Sequence, residues 1–259
     1  ISAAAGSAEA GVLAAAVDFP GAAAASAAAA LQEGGDMRDL TKRFLTPHEK
    51  ECIIHAVKEA ERRTSGELVP LIVSESSDYG AHEFLGAFAL TMPLSIGTAY
   101  LVNWLQYYQH DSLALFLIAF VPIFALCYLL INLCSVLKRF FIPDATMDEE
   151  VRETASAAFF AHGLHKTRDQ SGILLYISVF ERRVWILADR GINANLPDGT
   201  WDGIIADLTD GIKRKKRGEA ICTAVRRIGV LLVAHCPAYR EHANELPDLV
   251  MGSEEKITE

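Results

Sequence analysis

The stretch Ser171–Asp198, SGILLYISVFERRVWILADRGINANLPD, decides the fold. Ile173–Phe180 is an apolar run, rich in β-branched and aromatic side chains and too short for a typical helix. Glu181-Arg182-Arg183 interrupts it, and Val184–Ala188 forms a second run. Two such runs on either side of a short polar break predict a β-hairpin. Both strands are expected to be apolar on both faces, inside a sheet covered on two sides. Asp189, Arg190, Gly191, Asn193, Asn195, Pro197 and Asp198 then form a polar, turn-prone segment leading into a helix. A functional site is expected at that segment.

Upstream, Thr46-Pro47-His48-Glu49 reads as a helix start: a capping Thr, Pro at the first helical position and Glu three residues after the cap. Ile53, Val57 and Ala60 line one face of that helix, and Thr64-Ser65-Gly66 closes it. Leu68–Val73 reads as a strand in which Pro70 suggests an edge position or a bulge. Glu67 at its mouth is a candidate ligand, although a carboxylate there is more often solvated.

Downstream, Thr146-Met147-Asp148-Glu149 repeats the capping pattern, with Val151, Ala155, Ala158 and Phe159 as an apolar face and Gly163 as the stop. After the hairpin, Trp201, Ile204, Ile205, Leu208 and Ile212 recur at helical spacing. Lys213–Arg217 (KRKKR) follows, where cations complement a helix dipole and, close to a bilayer, could touch anionic lipid. A last helix carries Ile221, Val225, Ile228, Leu231 and Leu232 and ends near Cys236-Pro237. The tail containing NELPDLV is expected to be poorly ordered unless it docks.

Between the first strand and the second capping pattern, Phe84–Leu105 and Leu113–Leu137 contain no charged residue. Each exceeds the roughly 20 residues needed to cross a bilayer as a helix. Only QYYQHDS links them, so they are expected to form an antiparallel transmembrane hairpin with both flanks on one side. Trp104, Tyr107 and Tyr108 suit an interfacial belt, and Lys138 and Arg139 after the second run predict a cytoplasmic body. Pro93 and Pro122 are expected to kink the spans, and Gly86, Ala89, Ser95 and Gly97 to permit close packing.

The order helix, strand, hairpin, helix, strand, strand, helix, helix predicts an α/β sandwich with a two-helix transmembrane hairpin inserted after the first strand. The expected division is an Ala-rich leader over 1–36, a first part of the soluble domain over 37–83, the hairpin over 84–137, the second part over 138–236 and a tail over 237–259. The leader holds no Lys or Arg, unlike a secretory signal, and is expected to be disordered or not native, with Met37 as the natural start. A formal net charge of −9 argues against nucleic-acid binding. Five scattered cysteines without a CxxC pair fit a reducing compartment and free thiols better than a disulfide framework.

Ser65-Gly66-Glu67 opening a strand, the SGILL strand, the ERR turn, a second strand and the segment from Gly191 to Asp198 together resemble the TPM domain family, over about Thr46–Cys236 with the hairpin as an interruption. Within it the chain is most similar to a branch of bacterial membrane proteins without assigned function. The resemblance implies an α/β sandwich. It also implies a choice of activities, since calcium binding and acid phosphatase activity are attributed to some members and assembly or repair roles to others. The family's Gly-Tyr-Gly-(hydrophobic)-Glu segment corresponds here to Asp189-Arg190-Gly191-Ile192-Asn193, so Asn193 replaces the Glu while the later Asp is kept as Asp198.

Asp189, Asn193, Asp198 and Glu67 are therefore the candidate metal ligands, with calcium the cation an oxygen-rich set would favour. Losing one carboxylate weakens such a site. Capping by Asp198 and left-handed turn positions for Asn193 and Asn195 compete with it. His162 and His165, three apart, could share a metal but lack the partner carboxylate of a zinc motif. No GxSxG, Cys/His pair or phosphate loop is present. The expected function is a non-catalytic interaction or assembly module at the cytoplasmic face of a bacterial membrane. Its expected partners are the lipid bilayer, an unidentified membrane protein and a second copy through the hairpin. The alternative is a divalent-cation-dependent phosphatase acting on phosphate esters.

Overall fold

A computed structural model describes residues 17–18, 41, 44–106, 112–167, 170–194, 196–197, 199–236 and 249–252. In chain order the elements are β1 (Val17–Asp18), α1 (Pro47–Glu61), β2 (Glu67–Val73), α2 (Gly80–Gln106), α3 (Ser112–Leu133), α4 (Ser135–Phe141), α5 (Asp144–Ala161), β3 (Gly172–Ser178), β4 (Arg183–Ala188), the single-turn α6 (Arg190–Asn193), α7 (Thr200–Lys213), α8 (Arg217–His235) and β5 (Val250–Gly252). They fall into two compact units. Described residues within 38–77 and 148–259, with β1, form one, and those within 78–147 form the other.

The first unit is built on a mixed sheet in the order β1-β4-β3-β2-β5. β3 and β4 are the predicted hairpin, antiparallel from Ile173 opposite Ala188 to Ser178 opposite Arg183. β2 runs parallel to β3 from Glu67 opposite Gly172. Every residue of β3 and β4 is buried, as two covered faces require. Leu68, Ile72, Ile173, Leu175, Ile177, Val184, Ile186 and Ala188 pack on one face with α1, α7 and α8. Val69, Leu71, Val73, Leu174, Tyr176, Trp185 and Leu187 pack on the other with Val151, Ala155, Ala158 and Phe159 of α5. The two sets alternate along each strand, and the helical faces predicted for α1, α5, α7 and α8 supply the other half of each core.

Pro70 sits in an unbroken register, with no bulge. The Glu67 N–H donates to the Ser171 carbonyl at 3.2 Å, so residues 67, 69 and 71 turn their backbone toward β3, and Pro70 turns its missing donor outward. β5 begins opposite only Leu71, which leaves that outward position uncovered. The leader and tail, expected to lack structure, each give a short edge strand. Val17–Asp18 pairs with β4, and Val250–Gly252 with β2. Unfilled backbone groups on both sheet edges favour such pairing even without a strong strand signal.

The second unit contains the two apolar helices. Phe84 meets Phe124 and Phe88 meets Phe120, a pairing that makes α2 and α3 antiparallel. Pro93 and Pro122 both lie within continuous helices. Thr91, Ser95 and Thr98 return their hydroxyls to the carbonyls of Ala87, Thr91 and Leu94 at 2.6–2.8 Å, which satisfies those polar groups on an apolar helix. α2 starts at Gly80, ahead of the expected Phe84, and so includes Glu83, whose carboxylate meets the Lys138 ammonium at 2.8 Å. That buried pair explains how a charge is tolerated there. The second apolar run is interrupted at Cys134, which has extended backbone, and Ser135–Phe141 forms α4. Gly86 is the close-packing residue of the expected set with a visible role: a Cβ there would lie 2.6 Å from Cγ of Phe141 on α4. Tyr107 and Tyr108 lie outside the described residues. α5 begins at Asp144 directly after Pro143, two residues before the predicted Thr146 cap, because Pro143 already fixes a helix-compatible φ.

Candidate functional site

The hairpin register places two of the candidate positions, Glu67 and Asp189, in one row with Gly172. Gly172 is opposite Glu67 on one side, and on the other it accepts the Asp189 N–H at 2.9 Å. Paired residues share a face, so Glu67 and Asp189 lie on the α5 side of the sheet, two strand spacings or roughly 10 Å apart. Between them, a Cβ on Gly172 would lie 2.4 Å from the Leu164 carbonyl oxygen, so the turn Leu164–Lys166 sits directly over the glycine. Only glycine lets it approach so closely.

Asp189 is the N-cap of α6. Its backbone is extended, and Oδ1 accepts the Arg190 N–H at 2.7 Å. Asn193 closes that turn: Nδ2 donates to the Ala188 carbonyl at 2.8 Å, and Oδ1 accepts the Trp201 indole N–H at 3.2 Å. A carboxylate could make the second bond but not the first. The amide thus ties the end of β4 to α7, a role for Asn in place of the Glu that the family segment carries. Asp198 and Asn195 lie outside the described residues. The α7 N-cap is Gly199 at φ 81°, with no side-chain cap.

His162 and His165 do not share a helix face, because Gly163 at φ 71° reverses the chain between them. Burial pushes His162 below the ordinary imidazole range. His165 packs against Phe160, ring centroids 5.1 Å apart. Among the described residues, no three His, Cys, Asp or Glu side chains are grouped to hold a metal ion.

The opposite end of the sheet holds a polar network that the sequence reading missed. The ERR break reads as a short polar turn, yet Glu181 is fully buried and Arg183 is 5% exposed. Glu181 Oε1 accepts the Ser76 N–H at 2.8 Å, and Oε2 accepts the Ser178 hydroxyl. Ser76 Oγ meets the Tyr176 hydroxyl at 2.9 Å, and the Ser76 carbonyl accepts from Thr154 of α5 at 2.8 Å. Arg183 pairs with Asp148 on the same helix. The network therefore joins the hairpin turn, the segment after β2 and α5 at the C-terminal ends of the two parallel strands. One signal was available in the sequence. Ser178 breaks an apolar run, and Ser74, Ser76 and Ser77 follow a strand, so several small hydroxyls meet at one sheet end.

On the other face, the predicted cap of α1 is complete. The Thr46 N–H and hydroxyl both donate to Glu49 Oε2 at 2.8 Å, and the Glu49 N–H returns to Thr46 Oγ1 at 3.3 Å. Glu49 Oε1 also accepts the Gly218 N–H at 3.1 Å. Burial alone would raise this carboxyl, but bonds from Thr46 and Gly218 and the charge of Arg217 outweigh it and hold it below its ordinary value.

These elements define an α/β sandwich whose mixed sheet packs against α1, α7 and α8 on one face and α5 on the other. Residues 139–231 match the family model for the TPM domain. The match begins after the two apolar helices, yet β2, upstream of them, lies inside the same sheet. A solved structure, the NMR structure of BA42 protein from the psychrophilic bacterium Bizionia argentinensis, is 17% identical with a TM-score of 0.48, covering 84% of this chain and 99% of that one. No curated protein matches the chain.

Proposed function

We propose that the chain is a membrane-anchored TPM-domain protein whose α2–α3 hairpin holds the sandwich at the cytoplasmic face of a bacterial membrane, where it serves as a non-catalytic interaction or assembly module. One observation carries this reading. The two helices are long and apolar enough to cross a bilayer, and only 28% and 11% of their most apolar windows are buried. A core helix of a water-soluble protein would hide most of that surface. Lys138 and Arg139 after the second span, with no Lys or Arg in the QYYQHDS link, support the cytoplasmic assignment.

The assembly reading is supported by the occupations of the polar groups. Asp189 caps a turn, Asn193 bridges β4 to α7, and Glu181 binds the segment after β2. A phosphatase would need a cation and an activated water or nucleophile, and these bonds serve the fold instead. The partners of the module are the bilayer, another membrane protein and a second copy through the hairpin. Crosslinking in native membranes tests this: a reproducible membrane-protein neighbour or a crosslinked dimer supports it. Calcium binding by calorimetry together with phosphate-ester turnover by the purified chain would overturn it.

A further inference from the structure

Two of the free thiols face each other across a helix pair. α1 and α8 are in close contact at both ends. A Cβ on Gly218 would lie 2.2 Å from Glu49 Cγ, and a Cβ on Gly229 would lie 2.6 Å from Ala60 Cβ. Both contacts share the 169-residue offset of the Glu49–Gly218 hydrogen bond, so the helices run parallel in constant register. That register sets Cys52 and Ile53 of α1 against Ile221 and Cys222 of α8, about one helical turn beyond the Gly218 contact. Cys222 is 3% exposed, and Cys52 is partly buried against the same core cluster. Burial, with help from the neighbouring Cys52 thiol, pushes the Cys222 thiol up to about 12.

Glycine at both contacts brings the two backbones to the near end of the usual helix spacing of about 8–10 Å. Facing residues there approach the Cα separation of roughly 4.4–6.8 Å that a disulfide requires. We propose that Cys52 and Cys222 form a reversible disulfide that staples α1 to α8 when the chain meets a hydroperoxide oxidant.

The chemistry balances in two steps. The Cys52 sulfur, the more accessible of the two, gives up its proton and attacks a peroxide oxygen. An S–O bond forms, the O–O bond breaks, and the released hydroxide takes a proton to become water. The Cys222 sulfur then attacks the Cys52 sulfenic acid as its proton passes to the departing oxygen. The S–S bond forms, the S–O bond breaks, and the departing hydroxide becomes the second water. Two thiols are oxidised by two electrons, and one peroxide is reduced to two waters. Because Cys222 stays protonated at neutral pH, the reduced pair persists until an oxidant reaches Cys52.

The test uses the full chain in detergent micelles, treated with hydrogen peroxide, alkylated without reduction and digested with trypsin. The expected product is peptide 51–58 linked to peptide 218–226, two hydrogens lighter than the separate pair, and released by dithiothreitol. Cys52→Ser and Cys222→Ser should each abolish the linked species. Cys127, Cys134 and Cys236 should remain individually alkylated. Recovery of both peptides unlinked after peroxide, or linkage of either to another cysteine, would overturn the proposal. The wild-type digest gives that answer even if a variant fails to fold.

Discussion

Replacing Glu181 tests whether the buried turn holds the sandwich together. Its carboxylate receives the Ser76 N–H and the Ser178 hydroxyl with no exposure to solvent. Hydrogen bonds to a charged group are worth about 1.5–3 kcal/mol each, and a buried group left without its partner incurs its full desolvation penalty. Glu181→Gln keeps an acceptor for the Ser76 amide but turns a donor toward Ser178, so the expected loss is about 1–3 kcal/mol. Glu181→Ala removes both acceptors and leaves a void, for a loss of about 3–5 kcal/mol. For a body of this size each kcal/mol moves Tm by roughly 2–4 °C, so the alanine variant should melt about 6–20 °C lower. The assay is near-ultraviolet circular dichroism in detergent, since Trp185 and Trp201 report one core each. Hydrogen exchange adds a local readout: the Ser76 amide should lose protection in Glu181→Ala and keep most of it in Glu181→Gln. An alanine variant melting within about 2 °C of wild type, with Ser76 still protected, would refute the reasoning.

Asn193→Asp should cost about 1–2 kcal/mol, because the donor to the Ala188 carbonyl is lost while the Trp201 bond survives; calcium restoring the lost stability in a thermal melt would contradict this structural role. Glu49 has a depressed folded-state carboxyl, so its stabilising contribution is present above its ordinary value near 4.5 and is lost as pH falls through the folded value. Acid titration of Tm should therefore show a shallower loss for Glu49→Gln than for wild type, and parallel curves would rule this out. Lys138→Ala leaves Glu83 buried without its partner at 2.8 Å, so the expected loss is about 3–5 kcal/mol, read by detergent-dependent melting. Recovery in Glu83→Gln/Lys138→Ala should follow, and its absence would count against the pair.

The hairpin and the helical faces were legible because burial imposes a period that sequence displays directly. The ILLYISVF and VWILA runs could only be strands covered on both sides, and the Thr46-Pro47-Glu49 cap formed as written. Short edge strands were illegible, since β1 and β5 exist through backbone pairing that few side chains announce. The break at Cys134 likewise carries no Gly or Pro signal. Polar groups misled in both directions. Charged residues at a hairpin turn normally face water, but Glu181 is drawn inward by donors from a segment 105 residues away. Asn193 looked like a weakened ligand because its partners, Ala188 and Trp201, become neighbours only once α6 and α7 fold back on β4.

Site-specific cysteine labelling in intact and permeabilised cells tests the anchoring claim most directly. Reporters are placed in the link between α2 and α3 and on α7, in a background without native cysteines. The account predicts that an impermeant maleimide labels the link in intact cells and α7 only after permeabilisation. Labelling of both from one side, or release of the chain from membranes by carbonate, would contradict it.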